Sequence, residues 1–202
     1  MNSDDTGRFL LAAAPGGLSI VQDLLNSASM PVASIPDLLA DEATAQEWLD
    51  ASLSRWGGQT GRAAPRITIS RADLPALRDL RDHVRGWLTD ADDPSPQVLH
   101  ADVSFRDGHI TYEPRGDGAA AVASLVNLEA LLASHTGALT RLKTCLNPDC
   151  GAAFYDRSRN GTRVWHDMKT CGNTMNLRAS RARRRETPSP QRTEGAESRA
   201  DR

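Results

Sequence analysis

The sequence predicts an α+β, mostly helical fold: an N-terminal helical domain with one β-hairpin, then a small cysteine-bearing module. Three observations point there. Apolar residues recur at helical spacing over most of the first 140 residues. Between residues 101 and 112 that period drops to two. Every cysteine lies in one basic segment near the C-terminus.

The chain has 202 residues, enough for one large domain or for an ordinary domain with a small module attached. Aromatic residues make up only 4%, so the core is expected to consist mainly of Leu, Val and Ala. No run of 18 apolar residues offers itself as a membrane span, and the first ten residues are acidic where a secretory leader would be basic. A cytoplasmic protein without a membrane partner is therefore expected. The net charge of −2 conceals an asymmetry: residues 1–140 carry 10 Lys+Arg against 19 Asp+Glu, whereas residues 141–185 carry 11 against 3. This implies two modules, the second facing a polyanion.

Residues 1–16 are small and polar and are expected to be flexible. A first helix is expected over residues 18–27, from Leu18, Val21, Leu24 and Leu25, ending near the Met30-Pro31 step. Pro36-Asp37 should open a short helical stretch through Leu38 and Leu39. Asp41 should cap a longer helix through Ala45, Trp48, Leu49 and Leu53, stopped by Gly57-Gly58. Ser70 and Asp73 resemble a capping box ahead of a helix over 72–89. There Leu74, Leu77, Leu80, Val84, Trp87 and Leu88 form the apolar stripe, and the Arg and Asp residues should face solvent.

A linker is expected at 92–96. Ala101, Val103 and Phe105, the Asp107-Gly108 turn, then Ile110 and Tyr112 read as a β-hairpin. Val122, Leu125, Leu128, Leu131 and Leu132 mark a helix to about residue 135, with Gly137 as its cap. Trp48, Trp56 and Trp87 read as core or surface residues, and His83, His100, His109 and His135 as residues outside any ligand set. The polar stretch 186–202 is expected to be disordered.

Cys145, Cys150, His166 and Cys171 follow the spacing C-x4-C-x15-H-x4-C. Three sulfurs and one imidazole nitrogen are the donor set of a structural zinc site with one ion per chain. Asn147-Pro148-Asp149 and Gly151 suit a tight knuckle around the ion. Residues 153–165 read as strand, turn and strand, after which His166 leaves the second strand and Cys171 opens the last helix. Two donors on a knuckle and two around a helix start make a treble-clef-like finger over 141–185. Two other readings stay open: small buried cysteines without a metal, and thiols that also act as a redox switch.

These residues carry a resemblance. Cys150-Gly151 after Asn147-Pro148-Asp149, the Ser158-Arg159-Asn160-Gly161 turn, and Cys171-Gly172-Asn173 resemble the CGNR zinc finger. Gln22-Asp23-Leu24-Leu25-Asn26 and Val103-Ser104-Phe105-Arg106-Asp107-Gly108 resemble the ABATE domain that accompanies it in a bacterial family of stress-related transcription regulators. Two positions depart from the family pattern: His166 replaces a usual Cys, and Thr174 stands where the signature has Arg.

The resemblance implies a regulator bound to DNA in the bacterial nucleoid, with residues 17–140 as a sensing or dimerisation domain. Four protein donors leave no position for a substrate water, and residues 1–140 hold no nucleophile motif or phosphate loop, so no enzyme is expected. Arg178, Arg181 and Arg185 share one row of the last helix, and Arg183 and Arg184 add charge. Met175, Ala179 and Ala182 should form its packing side. Arg157, Arg159, Arg163 and Lys169 could extend the basic surface, with double-stranded DNA as the expected partner. The rival readings are an adaptor docking on an acidic component of the transcription machinery, and an RNA-binding protein. A homodimer and a small-molecule ligand of the N-terminal domain remain open.

Overall fold

The computed structural model describes residues 9, 11–30, 34–89 and 98–186. The expected linker at 92–96 and the tail beyond residue 186 lie outside them, as do residues 1–8. Five α-helices and two antiparallel strand pairs are present among the described residues: α1 Leu18–Leu25, α2 Glu42–Thr60, α3 Leu74–Trp87, β1 Ala101–Arg106, β2 His109–Pro114, α4 Gly118–His135, β3 Leu142–Thr144, β4 Ala153–Tyr155 and α5 Asn173–Glu186. The fold is α+β, with the helices predominant.

α1 lies at the centre, against α2, α3, α4 and β4. All eight of its residues are buried, polar ones included. Asp23 lies beside the Arg55 guanidinium, yet burial outweighs that pull and pushes its carboxyl up to about 6. α2 starts at Asp41, whose side chain accepts from the Thr44 N–H at 2.9 Å. It runs through Gly57 and Gly58, contrary to the expected stop, and ends at Gly61. The buried stripe of Trp48, Leu49, Leu53 and Trp56 outweighs the roughly 1 kcal/mol that an interior glycine costs.

The capping box is present in both arms, Ser70 and Asp73 each bonding the other's end of a 3-10 turn that leads into α3. Leu74, Leu77, Leu80 and Val84 face the core. Not all the arginines of α3 face solvent, however. Arg81 is buried, with both arms on the Asp37 carboxylate at 2.8 Å. Asp37 thus organises a turn, not the expected short helix, and its second role is to accept from the Leu39 N–H at 2.8 Å. Arg85 donates to the Leu25 carbonyl at 2.8 Å, one of the acceptors that the end of α1 leaves unbonded, and to the Gly151 carbonyl at 2.9 Å.

β1 and β2 form the expected hairpin, Arg106 opposite His109. Asp107 and Gly108 make its two-residue turn at φ 52° and 78°, the left-handed pair that suits the twist of the strands. Its base is fastened by Glu129 of α4, a buried carboxylate that accepts from the Tyr112 hydroxyl and the Trp56 indole N–H, each at 2.8 Å. α4 is long and apolar enough to cross a membrane, but most of it is buried in the core.

The hydrophobic cluster does not stop at residue 140: Leu142 and Ala153 belong to it. Asn26 completes the join. Its amide accepts from the Ala153 N–H at 2.8 Å and donates to the Ala153 carbonyl at 3.0 Å, acting as a surrogate strand for β4. Gln22, one turn earlier, donates to the same carbonyl at 3.2 Å and accepts from the Ala14 N–H at 2.6 Å. Ala13 and Ala14, within the stretch expected to be flexible, are accordingly buried. Replacing Asn26 with Ala leaves the buried Ala153 N–H without its acceptor, while the carbonyl keeps Gln22, so Asn26→Ala is expected to cost about 1–3 kcal/mol in chemical denaturation. Asn26→Asp keeps an acceptor for the N–H but sets a buried carboxylate against the Ala153 carbonyl, so it should cost at least as much.

Candidate metal centre

The site is built on the turn between β3 and β4, which pair from Leu142 opposite Tyr155 to Thr144 opposite Ala153. The Cys145 N–H bonds the Ala152 carbonyl at 2.8 Å and the Cys150 N–H bonds the Asn147 carbonyl at 2.9 Å, closing a tight knuckle that carries the first two donors. This replaces the hairpin expected over 153–165: the partner of β4 is β3, and residues 161–164 are irregular. The cause is Asp156, fully buried at the end of β4. Its carboxylate accepts from the N–H groups of Ser158 and Arg163 and from the Lys143 ammonium, each at 2.9 Å, and folds 156–163 into a loop. Burial would raise this carboxyl, but the hydrogen bonds prevail and hold it well below the usual range. The Leu146 N–H then bonds the Val164 carbonyl at 3.0 Å, bringing His166 to the knuckle.

Cys171 sits in a single π-helical turn, Met168–Gly172, directly before α5. Asp167 caps that turn through the Thr170 N–H at 2.7 Å. A Cβ on Gly172 would meet Trp165 Cδ1 at 3.1 Å and Met168 Sδ at 2.3 Å, the latter the end of a flexible, exposed side chain. Asn147 was missed as a functional residue in the sequence. Buried in the knuckle, it directs its amide at Cys171 Sγ from 3.2 Å, while its carbonyl oxygen accepts from the Asp149 N–H at 3.2 Å. An Asn two residues past the first cysteine, ahead of Pro-Asp, was the available signal, for Asn favours such turns.

The donor atoms of Cys145, Cys150, His166 and Cys171 all lie within 4.8 Å of one another. That spread is of the size spanned by one tetrahedral ion with bonds of about 2.0–2.3 Å. Burial raises the Cys145 thiol, and the charge of Cys171 adds to it, against backbone N–H groups of His166 and Asn147 that favour the thiolate. Burial and the two neighbouring sulfurs push Cys150 up to about 12. Burial also lowers His166, favouring the neutral imidazole that a metal requires. Three thiols this close cannot ionise together by themselves, and a divalent cation removes the repulsion. The donors fit a zinc site.

Residues 141–184 match the family model of the CGNR zinc finger. No curated protein matches the chain. The CGNR quartet reads Cys171, Gly172, Asn173 and Thr174 here, and the Thr174 hydroxyl turns back onto the Thr170 carbonyl of its own helix at 2.8 Å.

The nine basic residues singled out in the sequence occupy different settings. Arg157 donates to the Ala13 carbonyl at 2.7 Å, and Arg163 donates to the His166 carbonyl and lies over the Phe154 ring. Arg178 forms an ion pair with Asp149 of the knuckle at 2.7 Å. Arg159, Lys169, Arg181, Arg183, Arg184 and Arg185 are exposed, the last four along α5. The packing side expected from Met175, Ala179 and Ala182 is not used as such: Met175 is half-buried, whereas Ala179 and Ala182 are exposed.

The protein as purified is expected to hold one zinc per chain by elemental analysis, and Cys171→Ala to lose it. Independent melting of the finger does not follow from a core that includes Leu142 and Ala153. A chelator should lower the unfolding temperature of the helices by several degrees while abolishing the finger's dispersed amide resonances. Asn147→Ala, which removes the amide from Cys171 Sγ, should weaken zinc retention about 10-fold or more, read by competition with a chromogenic chelator.

Proposed function

We propose that this protein is a DNA-binding transcription regulator in which a closed, structural zinc site presents α5 to the double helix. The reading rests on one observation: the basic helix begins two residues after the candidate donor Cys171 and is exposed along nearly its whole length. A helix stabilised by a core would bury one side. This one buries little, carries Arg181, Arg183, Arg184 and Arg185 on several faces, and has the dimensions of a major-groove reader. The four protein donors would hold zinc in a treble-clef-like finger, and zinc would supply folding energy to a segment with few apolar residues.

Within the basic set, Arg181, Arg184 and Arg185 of α5 are the better candidates for phosphate contact. Arg157 and Arg163 are engaged with carbonyls and rings of their own chain, and Arg178 with Asp149. Arg159 and Lys169 would add contacts at the edge of the helix. Residues 17–140 would serve as the sensing or dimerisation part of a regulator acting at the nucleoid.

Titration with duplex DNA at several salt concentrations tests this. Each phosphate contact contributes about −0.9 to the slope of log K against log salt, so Arg181→Ala/Arg184→Ala is expected to flatten the slope by nearly two units. An unchanged slope would remove α5 from the interface. Stronger binding to single-stranded RNA or to an acidic polypeptide than to duplex DNA would favour the RNA-binding or adaptor reading instead.

A further inference from the structure

The β1–β2 hairpin carries a surface that neither the core nor the metal site uses. Val103, Phe105 and Ile110 are 69%, 73% and 69% exposed, an unusual concentration of large apolar side chains on two short strands. Cross-strand pairing puts Val103 beside Tyr112 and Phe105 beside Ile110, so all four occupy one face, with Asp102, Ser104 and Arg106 on the other.

The two edges of the hairpin differ. Arg106 and His109 close a two-residue turn and therefore form a hydrogen-bonded pair, and by alternation the backbone groups of Val103 and Tyr112 point out of the hairpin. On the β2 side, Arg62 donates to the outward Tyr112 carbonyl and stacks on the Tyr112 ring with 3.5 Å to its centroid. On the β1 side, no described residue bonds the outward N–H and carbonyl groups of Val103 and Phe105. Nor does β1, Ala-Asp-Val-Ser-Phe-Arg, contain the proline, lysine or bulge that commonly guards an edge.

We propose that the β1 edge is a homodimer contact, in which β1 pairs antiparallel with β1 of a second copy about a two-fold axis at Ser104. The occupant follows from self-complementarity. With Ser104 opposite Ser104, Val103 of each copy falls opposite Phe105 of the other on the apolar face, and Asp102 opposite Arg106 on the polar face. Each pair occurs twice. The outward backbone groups of Val103 and Phe105 are then in place to exchange hydrogen bonds. Shifting the register by two residues keeps the backbone bonds but loses both charge pairs. Asp102 already holds Arg115 of its own chain and has a second carboxylate oxygen for the partner. Pairing converts two marginal two-stranded ribbons into one four-stranded sheet, the size at which a sheet with an apolar face becomes stable.

The strand edge and its side chains bury on the order of 400 Å² per copy, about half of a standard interface. The dimer is therefore expected to be weak and concentration-dependent. Sedimentation velocity of the zinc-loaded full chain from ~5 to ~500 µM should show a monomer–dimer equilibrium within that range.

Arg106→Asp sets like charges opposite each other twice and should weaken association at least about 10-fold, while Asp102→Arg/Arg106→Asp should restore it. The register has its own test. Ser104 residues across the axis have Cα atoms about 4.5 Å apart, within disulfide reach, so Ser104→Cys should form a covalent dimer under mild oxidation. Thr111→Cys, on the same face but one strand away from the axis, should not. A chain that stays monomeric over the whole range, a double variant no tighter than Arg106→Asp, or a Ser104→Cys that cross-links no faster than Thr111→Cys would each overturn the proposal.

Discussion

Three thiols and an imidazole gathered within 4.8 Å form the constraint on which the C-terminal third depends. Such a cluster, in a segment with few apolar residues, is a place where electrostatics outweighs packing. Burial and mutual repulsion disfavour thiolates, and the knuckle N–H groups favour them only in part. A cation reverses the balance at a stroke, which is why so small a segment can dispense with a core of its own. Asn147, Asp156 and Asp167 serve this cluster without belonging to the donor set. Each fixes a stretch of backbone that brings one donor to its place.

That arrangement is continuous with the helices. Asn26 and Gln22 take hydrogen bonds that a third strand would otherwise make with β4, and Arg85 ties the end of α1 to the knuckle carbonyl of Gly151. Gln22 of α1 and Asn26 at its end are buried because they face the finger's backbone, whereas Asp23 is buried against Arg55 of α2. An apolar residue at position 26 would bury more area, yet it would leave the N–H of Ala153 unbonded and its carbonyl to Gln22 alone.

Helical periodicity located α1 to α4 because their apolar faces point into one core, alternation about an Asp-Gly turn located the β1–β2 hairpin, and the donor spacing located the metal site because zinc accepts few side-chain types. The misplaced features share a cause. Gly57 and Gly58 lie inside α2 because tertiary burial of Trp56 outweighs local propensity. Arg81 and Arg85 point inward because each meets acceptors that are distant in sequence, the Asp37 carboxylate and the carbonyls of Leu25 and Gly151. Asp156 turns an expected strand into a loop through bonds to Ser158, Arg163 and Lys143. Polar pairs of this kind follow no period, so they are illegible until the chain has been folded.

α5 continues from the finger through its first turn, and Arg178 ties it to Asp149 of the knuckle. At 1.5 Å per residue its 14 residues reach about 21 Å from the metal cluster, so a tilt of some 15° at the Cys171–Gly172 turn displaces the far end by about 5 Å. A bound ion would thus act as the pivot of a lever: small changes in how its ligands sit would become displacements of several ångströms at Arg184 and Arg185. Replacing Asp149 would loosen the aim of that lever without touching the pivot.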